Sequence, residues 1–156
     1  TYNKSTEEIY DEILFHDFEL RGIRKIVSCS TRGMVARLSA APGPRQWMSA
    51  PLRDRWIADP LVLDSAFQMA IVWCYEEKQA VSLPSSVASY RQYRRKFPTE
   101  GVTAVLEAGE ITDNKTRGDF TFSDSNGEIV ARLAGYQATM DASLLKAFKP
   151  RYRALA

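Results

Sequence analysis

The stretch "DPLVLDSAFQMAIVW", residues 59–73, constrains the fold more than any other part of the chain. Leu61, Leu63, Phe67, Ala70, Ile71 and Cys74 place apolar side chains on more than one face of a helix over 60–78. A helix of that kind needs cover on several sides, so it belongs at the centre of a domain. Pro60 suits its first turn, Asp59 can cap it, and "YEEKQ" ends it in solvent. Asp64 and Gln68 interrupt the apolar run one turn apart, and that spacing sets them side by side on one face. An apolar surround favours the acid form of a carboxyl.

The flanking segments supply the cover. "STEEIYDEIL" opens with a capping box, Ser5 with Glu8, and Ile9, Ile13 and Leu14 give a short amphipathic helix over roughly 5–14. Leu20, Ile23, Ile26, Val35 and Leu38 then mark two antiparallel strands near 21–29 and 33–40, with "STRG" as the turn. "APGPRQWMSAPLRDRW" reads as a loop without regular structure, pinned by Trp47 and Trp56. After "LPSS" the period is two again. "SVASYRQYRRKF", "GVTAVLEAGEI", "RGDFTFSD" and "EIVARLAGYQATM" are strand candidates, with "DSNGE" as a hairpin turn. "DASLLKAF" reads as a closing helix. The order is two strands, one buried helix, then four strands. A curved antiparallel sheet wrapped around a single long helix satisfies it, an α+β hotdog fold. The expected organisation is a lead-in helix over 1–14, one domain over 15–148 and a basic tail over 149–156.

Composition narrows the function. The 156 residues suit one domain, and a formal charge of +2 is too small to imply a nucleic-acid partner. No apolar run reaches membrane length and no secretory leader is evident, so a cytoplasmic location without membrane contact is expected. Cys29 and Cys74 read as reduced thiols, and a single histidine leaves no set of metal ligands.

Three stretches carry a resemblance. "YDEILFHDFELRGIRKI", "DPLVLDSAFQ" and "LPSSVASYRQYR" resemble, in order and spacing, the C-terminal hotdog half of the dehydratase domain of type I polyketide synthases. The likeness runs over roughly 8–148. It implies removal of water from a β-hydroxyacyl chain carried as a thioester on the phosphopantetheine of an acyl carrier protein, with no further cofactor. In that family a histidine of the N-terminal hotdog takes the α-proton and an aspartate of the C-terminal helix protonates the departing hydroxyl. The resemblance places Asp64 as that acid and Gln68 as the residue that helps hold the aspartate or the hydroxyl, and implies substrate contacts for His16, Pro60, Leu63 and Phe67. The N-terminal half's histidine-x-x-x-glycine-x-x-x-x-proline motif is absent. Asp17, Phe18, Leu20 and Arg21 replace the lead-in's expected glycine, proline, phenylalanine and glutamine.

Three readings follow. The chain is the acid half of a dehydratase, incomplete without a histidine-bearing hotdog. Alternatively it is a non-catalytic dehydratase-like module for carrier docking or synthase assembly. Thirdly, it is a stand-alone homodimeric thioester enzyme in which only His16, otherwise a pocket-rim or structural histidine, or an unusual base could complete the chemistry. Partners are therefore a carrier protein and a second hotdog; alone, the chain is expected to self-associate. "YRQYRRKF" alternates, so strand geometry sends Tyr90, Gln92, Arg94 and Lys96 one way and Arg91, Tyr93 and Arg95 the other. A solvated outer face is the expectation there, ahead of contact with an acidic carrier.

Overall fold

The computed structural model describes residues 2–141, 143 and 144. The expected closing helix over 141–148 and the tail over 149–156 lie, apart from Asp141, Ser143 and Leu144, outside the described residues. The elements, in order, are α1 (Thr6–Glu12), a 3-10 turn (Phe18–Leu20), β1 (Ile23–Ser30), β2 (Gly33–Leu38), α2 (Pro44–Trp47) and α3 (Pro60–Lys78). They continue with β3 (Val81–Ser86), β4 (Ser89–Gln92), β5 (Val102–Ile111), β6 (Lys115–Ser123) and β7 (Ile129–Asp141).

The strands form one antiparallel sheet in the order β1-β2-β5-β6-β7-β3, with β4 also paired to β7. Alternation builds its inner face. Phe120 and Phe122 on β6, Val130 and Tyr136 on β7, and Ala104 and Leu106 on β5 are buried. They pack with Val62, Ala66, Met69, Ala70 and Trp73 of α3 into one core. The sheet curls around α3, which contacts β1, β2, β3 and β5. This is the hotdog arrangement.

Local chemistry sets the ends of the elements. Ser5 and Glu8 form the expected capping box on α1. Asp59 caps α3 through the Val62 N–H at 2.9 Å, and a second bond from the Ala41 N–H, also 2.9 Å, ties the preceding loop to the same carboxylate. Gly33 adopts φ +136° in the β1–β2 turn, where a side chain would strike the Leu106 carbonyl. Asp124 closes the β6–β7 hairpin by accepting from the Asn126 and Glu128 N–H groups. At the far end of α3, Glu76 is half-buried and accepts from the Tyr2 hydroxyl at 2.7 Å, so only Lys78 and Gln79 reach open solvent.

Three expectations need correction. The proline-rich loop holds one helical turn, α2, because Pro44 occupies its first position, where a missing N–H costs nothing. "VSLPSS" is not a connector but β3. It lies at the sheet edge, where a strand tolerates Pro84. The strand expected across "SVASYRQYRRKF" keeps only Ser89–Gln92, and residues 93–96 bend away from it.

Candidate active site

Asp64 lies in the second turn of α3, on the stripe Pro60, Leu63, Asp64 and Phe67. These four side chains are only half-buried, whereas the rest of the helix through Cys74 is enclosed. The stripe is the face of the central helix that the sheet leaves open. An apolar surround for Asp64, expected from the sequence, is therefore not completed by the described residues: its side chain is 36 % exposed. The helix is apolar all round, but its cover is not.

Gln68, fully buried beneath Asp64, holds it in place. Its amide Nε2 donates to Asp64 Oδ2 at 2.7 Å and to the Leu20 carbonyl at 2.7 Å. Its Oε1 accepts from the Tyr10 hydroxyl at 2.7 Å. That hydroxyl in turn accepts from the Ile23 N–H at 3.0 Å. Because the Tyr10 oxygen already receives one proton, its own proton goes to Gln68 Oε1, which fixes the amide with its NH₂ toward Asp64. Burial pushes the Tyr10 phenol up to about 12, so it stays a donor throughout the neutral range. Arg21 covers the ring at 5.1 Å, and Gly22 lets this segment settle on α3, since a Cβ there would meet Ser65 Oγ at 2.0 Å.

His16 Nε2 stands 3.6 Å from Asp64 Oδ2, and its side chain is only 10 % exposed. Its ring stacks on Phe15, and Nδ1 is buried without a hydrogen-bonding partner among the described residues. Burial lowers its pKa, and the Asp64 charge offsets this in part, so the imidazole is neutral near pH 7. The lead-in thus brings a proton acceptor against the carboxyl of α3. Phe67 stacks on Tyr136 of β7 at 5.5 Å, which fixes it beside the site. Among the described residues no three histidine, cysteine or acidic side chains converge as metal ligands.

The structure brings together Asp64, Gln68 and His16, all named from the sequence, with Tyr10 and the Leu20 carbonyl, which the sequence reading did not name. The tyrosine carries a signal, since a tyrosine beside Ile9 on the buried side of α1 needs a partner for its hydroxyl. Nothing in sequence spacing reveals that the partner lies 58 positions away.

The model of the polyketide synthase dehydratase N-terminal domain matches residues 3–143. The chain belongs to the polyketide synthase dehydratase family. Among curated proteins, the A component of the polyunsaturated fatty acid synthase of Thraustochytrium sp. (strain ATCC 26185 / S-3) is 36 % identical over 87 residues. That alignment takes in 55 % of this chain and 3 % of the synthase component. The structure is similar to the dehydratase domain of RzxB from Pseudomonas fluorescens, with TM-score 0.67 and 18 % identity, covering 86 % of this chain and 48 % of that one. It is also similar to the dehydratase domain from the CurF module of the curacin polyketide synthase, with TM-score 0.67, 20 % identity and coverage of 90 % and 49 %. GphF dehydratase 1 gives TM-score 0.69, 18 % identity and coverage of 86 % and 49 %. At these identities the solved dehydratases establish the hotdog fold. This family member spans about half the length of each.

Proposed function

We propose that this chain is the aspartate-bearing, C-terminal hotdog of a β-hydroxyacyl dehydratase, completed by a histidine-bearing hotdog. One observation carries the reading. Asp64 is held by Gln68 on the open stripe of the central helix, where a second hotdog can close over it. The absence of the histidine-x-x-x-glycine-x-x-x-x-proline motif from these residues supports the same half. The family model is described as an N-terminal domain; the Asp64–Gln68 pair and the missing motif favour the C-terminal assignment.

In this reading a base on the second hotdog takes the α-proton of a carrier-bound β-hydroxyacyl thioester. Those electrons form the Cα–Cβ double bond as the Cβ–O bond breaks. The Asp64 acid passes its proton to the leaving oxygen, which departs as water. Gln68 Nε2 occupies Oδ2, so Oδ1 is the oxygen left to face substrate. Gln68 is fully buried and its Oε1 accepts from Tyr10, so its part is to hold Asp64 from beneath. Pro60, Leu63 and Phe67 supply the apolar wall along the stripe, and His16 its polar rim. No cofactor enters beyond the substrate's own phosphopantetheine, and the site works in the cytoplasm.

The 3.6 Å approach of His16 to Asp64 favours one further reading, a homodimer in which His16 is the base. The deciding assay follows the α,β-unsaturated product from a β-hydroxyacyl thioester. The half-site reading expects no product from this chain alone, product once a histidine-bearing hotdog is added, and loss in Asp64→Asn. Turnover by the chain alone that disappears in His16→Gln would establish the homodimer instead. No product under either condition would leave the non-catalytic module.

A further inference from the structure

A groove of about 1120 Å³ runs between the segment 53–58 and residues 90–96, and Asp64, Gln68 and His16 are not part of its lining. Strand alternation would have divided the tyrosines and arginines of "YRQYRRKF" between two faces. The strand ends at Gln92, so the bend over 93–96 breaks the alternation and returns both kinds to one groove.

The charges in it are unequal. Asp54 is taken by Arg45, at 2.6 and 3.0 Å, and Arg94 by Asp124 and Glu128. Arg53, Arg55, Arg95 and Lys96 are exposed and have no ion pair among the described residues. The groove is also built. Gln92 Nε2 ties the two walls by donating to the Ile57 carbonyl at 3.1 Å, and Trp56 Nε1 anchors its loop to the Pro42 carbonyl at 2.7 Å.

A second hollow of about 440 Å³ adjoins it, lined by Met48, Leu52 and Ile57. Leu52 is fully exposed and Ile57 67 % exposed. An apolar patch rimmed by unpaired cations matches a protein partner with an acidic rim. A nucleic acid would have less use for the aliphatic half. The wall at Ala58 is followed by Asp59, the cap of α3, and Asp64 lies four residues beyond Pro60, about 6 Å along a helix rising 1.5 Å per residue.

We propose that this basic, partly apolar groove is the docking surface for an acidic carrier domain, which it holds at the Asp64 end of α3. The identity of the partner rests on the dehydratase reading; the position of its docking surface rests on the groove.

The test is a fluorescence-anisotropy titration of the full chain with a labelled carrier protein lacking an acyl group, at two salt concentrations. The expected result is affinity that falls as salt rises, and at least a tenfold loss in the triple variant Arg53→Glu, Arg55→Glu, Arg95→Glu. Circular dichroism and melting check its fold; Arg95→Gln and Leu52→Ala, both at exposed positions, each lower the affinity severalfold if the triple does not fold. Unchanged affinity in the folded variants, no binding by the wild type, or tighter binding of a single-stranded RNA oligomer than of the carrier would overturn the proposal. Turnover of a small soluble β-hydroxyacyl thioester by the chain completed with a histidine-bearing hotdog needs no docking, so its failure counts against the dehydratase reading and not against the groove.

Discussion

The Tyr10 hydroxyl lies 2.7 Å from Gln68 Oε1 and thereby decides which end of the Gln68 amide meets Asp64. One oxygen receives the Ile23 N–H and passes its own proton on, so the order of donors from β1 to the α3 carboxyl has one direction. An amide free to flip would offer Asp64 a carbonyl and repel its charged form.

Tyr10→Phe should therefore do two things. It leaves the Ile23 N–H and Gln68 Oε1 buried without partners, at a cost of roughly 1–3 kcal/mol for each group so stranded. It also loosens the amide, which is left with the Leu20 carbonyl as its remaining anchor beside Asp64, so the exchange protection of the Gln68 side-chain NH₂ falls, and kcat falls more than KM changes in the completed dehydratase. Chemical denaturation and side-chain amide NMR measure the two effects. An unchanged Gln68 amide signal in the folded variant would refute the orientation argument.

Asp64→Asn removes the proton donor at little structural cost. The side chain is a third exposed and accepts one bond, which an asparagine carbonyl can also accept. The expected change in stability is within about 0.5 kcal/mol, as for other surface substitutions, while dehydration is lost. A large fall in the melting midpoint would show that Asp64 serves the fold and not the reaction.

His16 gives the fold a pH dependence. Its folded pKa lies below the ordinary value of 6.5, chiefly through burial. Between the two values the unfolded chain binds more protons than the folded one, so stability rises with pH. The contribution is complete above 6.5 and is lost as pH falls toward the folded value. Melting midpoints from about pH 7.5 to 5 should drop further in wild type than in His16→Gln. Parallel curves would mean that His16 is not buried in its neutral form.

Gly22→Ala tests the seat of the lead-in on α3. The new methyl meets Ser65 Oγ at 2.0 Å and the Leu61 side chain at 2.9 Å, so the segment or those side chains must shift, at roughly 1–3 kcal/mol of overpacking. A shift of the segment moves the Leu20 carbonyl away from Gln68. Adding Ser65→Gly should return part of the stability, read from denaturant midpoints.

Much of the scaffold is legible in the sequence. The bounds of α3 follow from Asp59, Pro60 and the apolar run, and the capping box at Ser5 starts α1 as its residues require. The last three strands follow from alternation. β3 is hidden because Pro84 and three serines read as a connector; only its place at the sheet edge makes a strand of it. The mixed groove is hidden because its two walls are some 35 residues apart and one of them is a bend, to which period-two reasoning does not apply.

By itself the sequence determined that one helix is central and that Asp64 and Gln68 share a face of it, because helical spacing is local and apolar patterning has a period. The tertiary structure alone decided that Tyr10 and Leu20 orient Gln68, that His16 comes against Asp64, and that the Asp64 stripe stays open. Those contacts join residues far apart in the chain, and their geometry comes from how the sheet curls around α3, which no local pattern encodes.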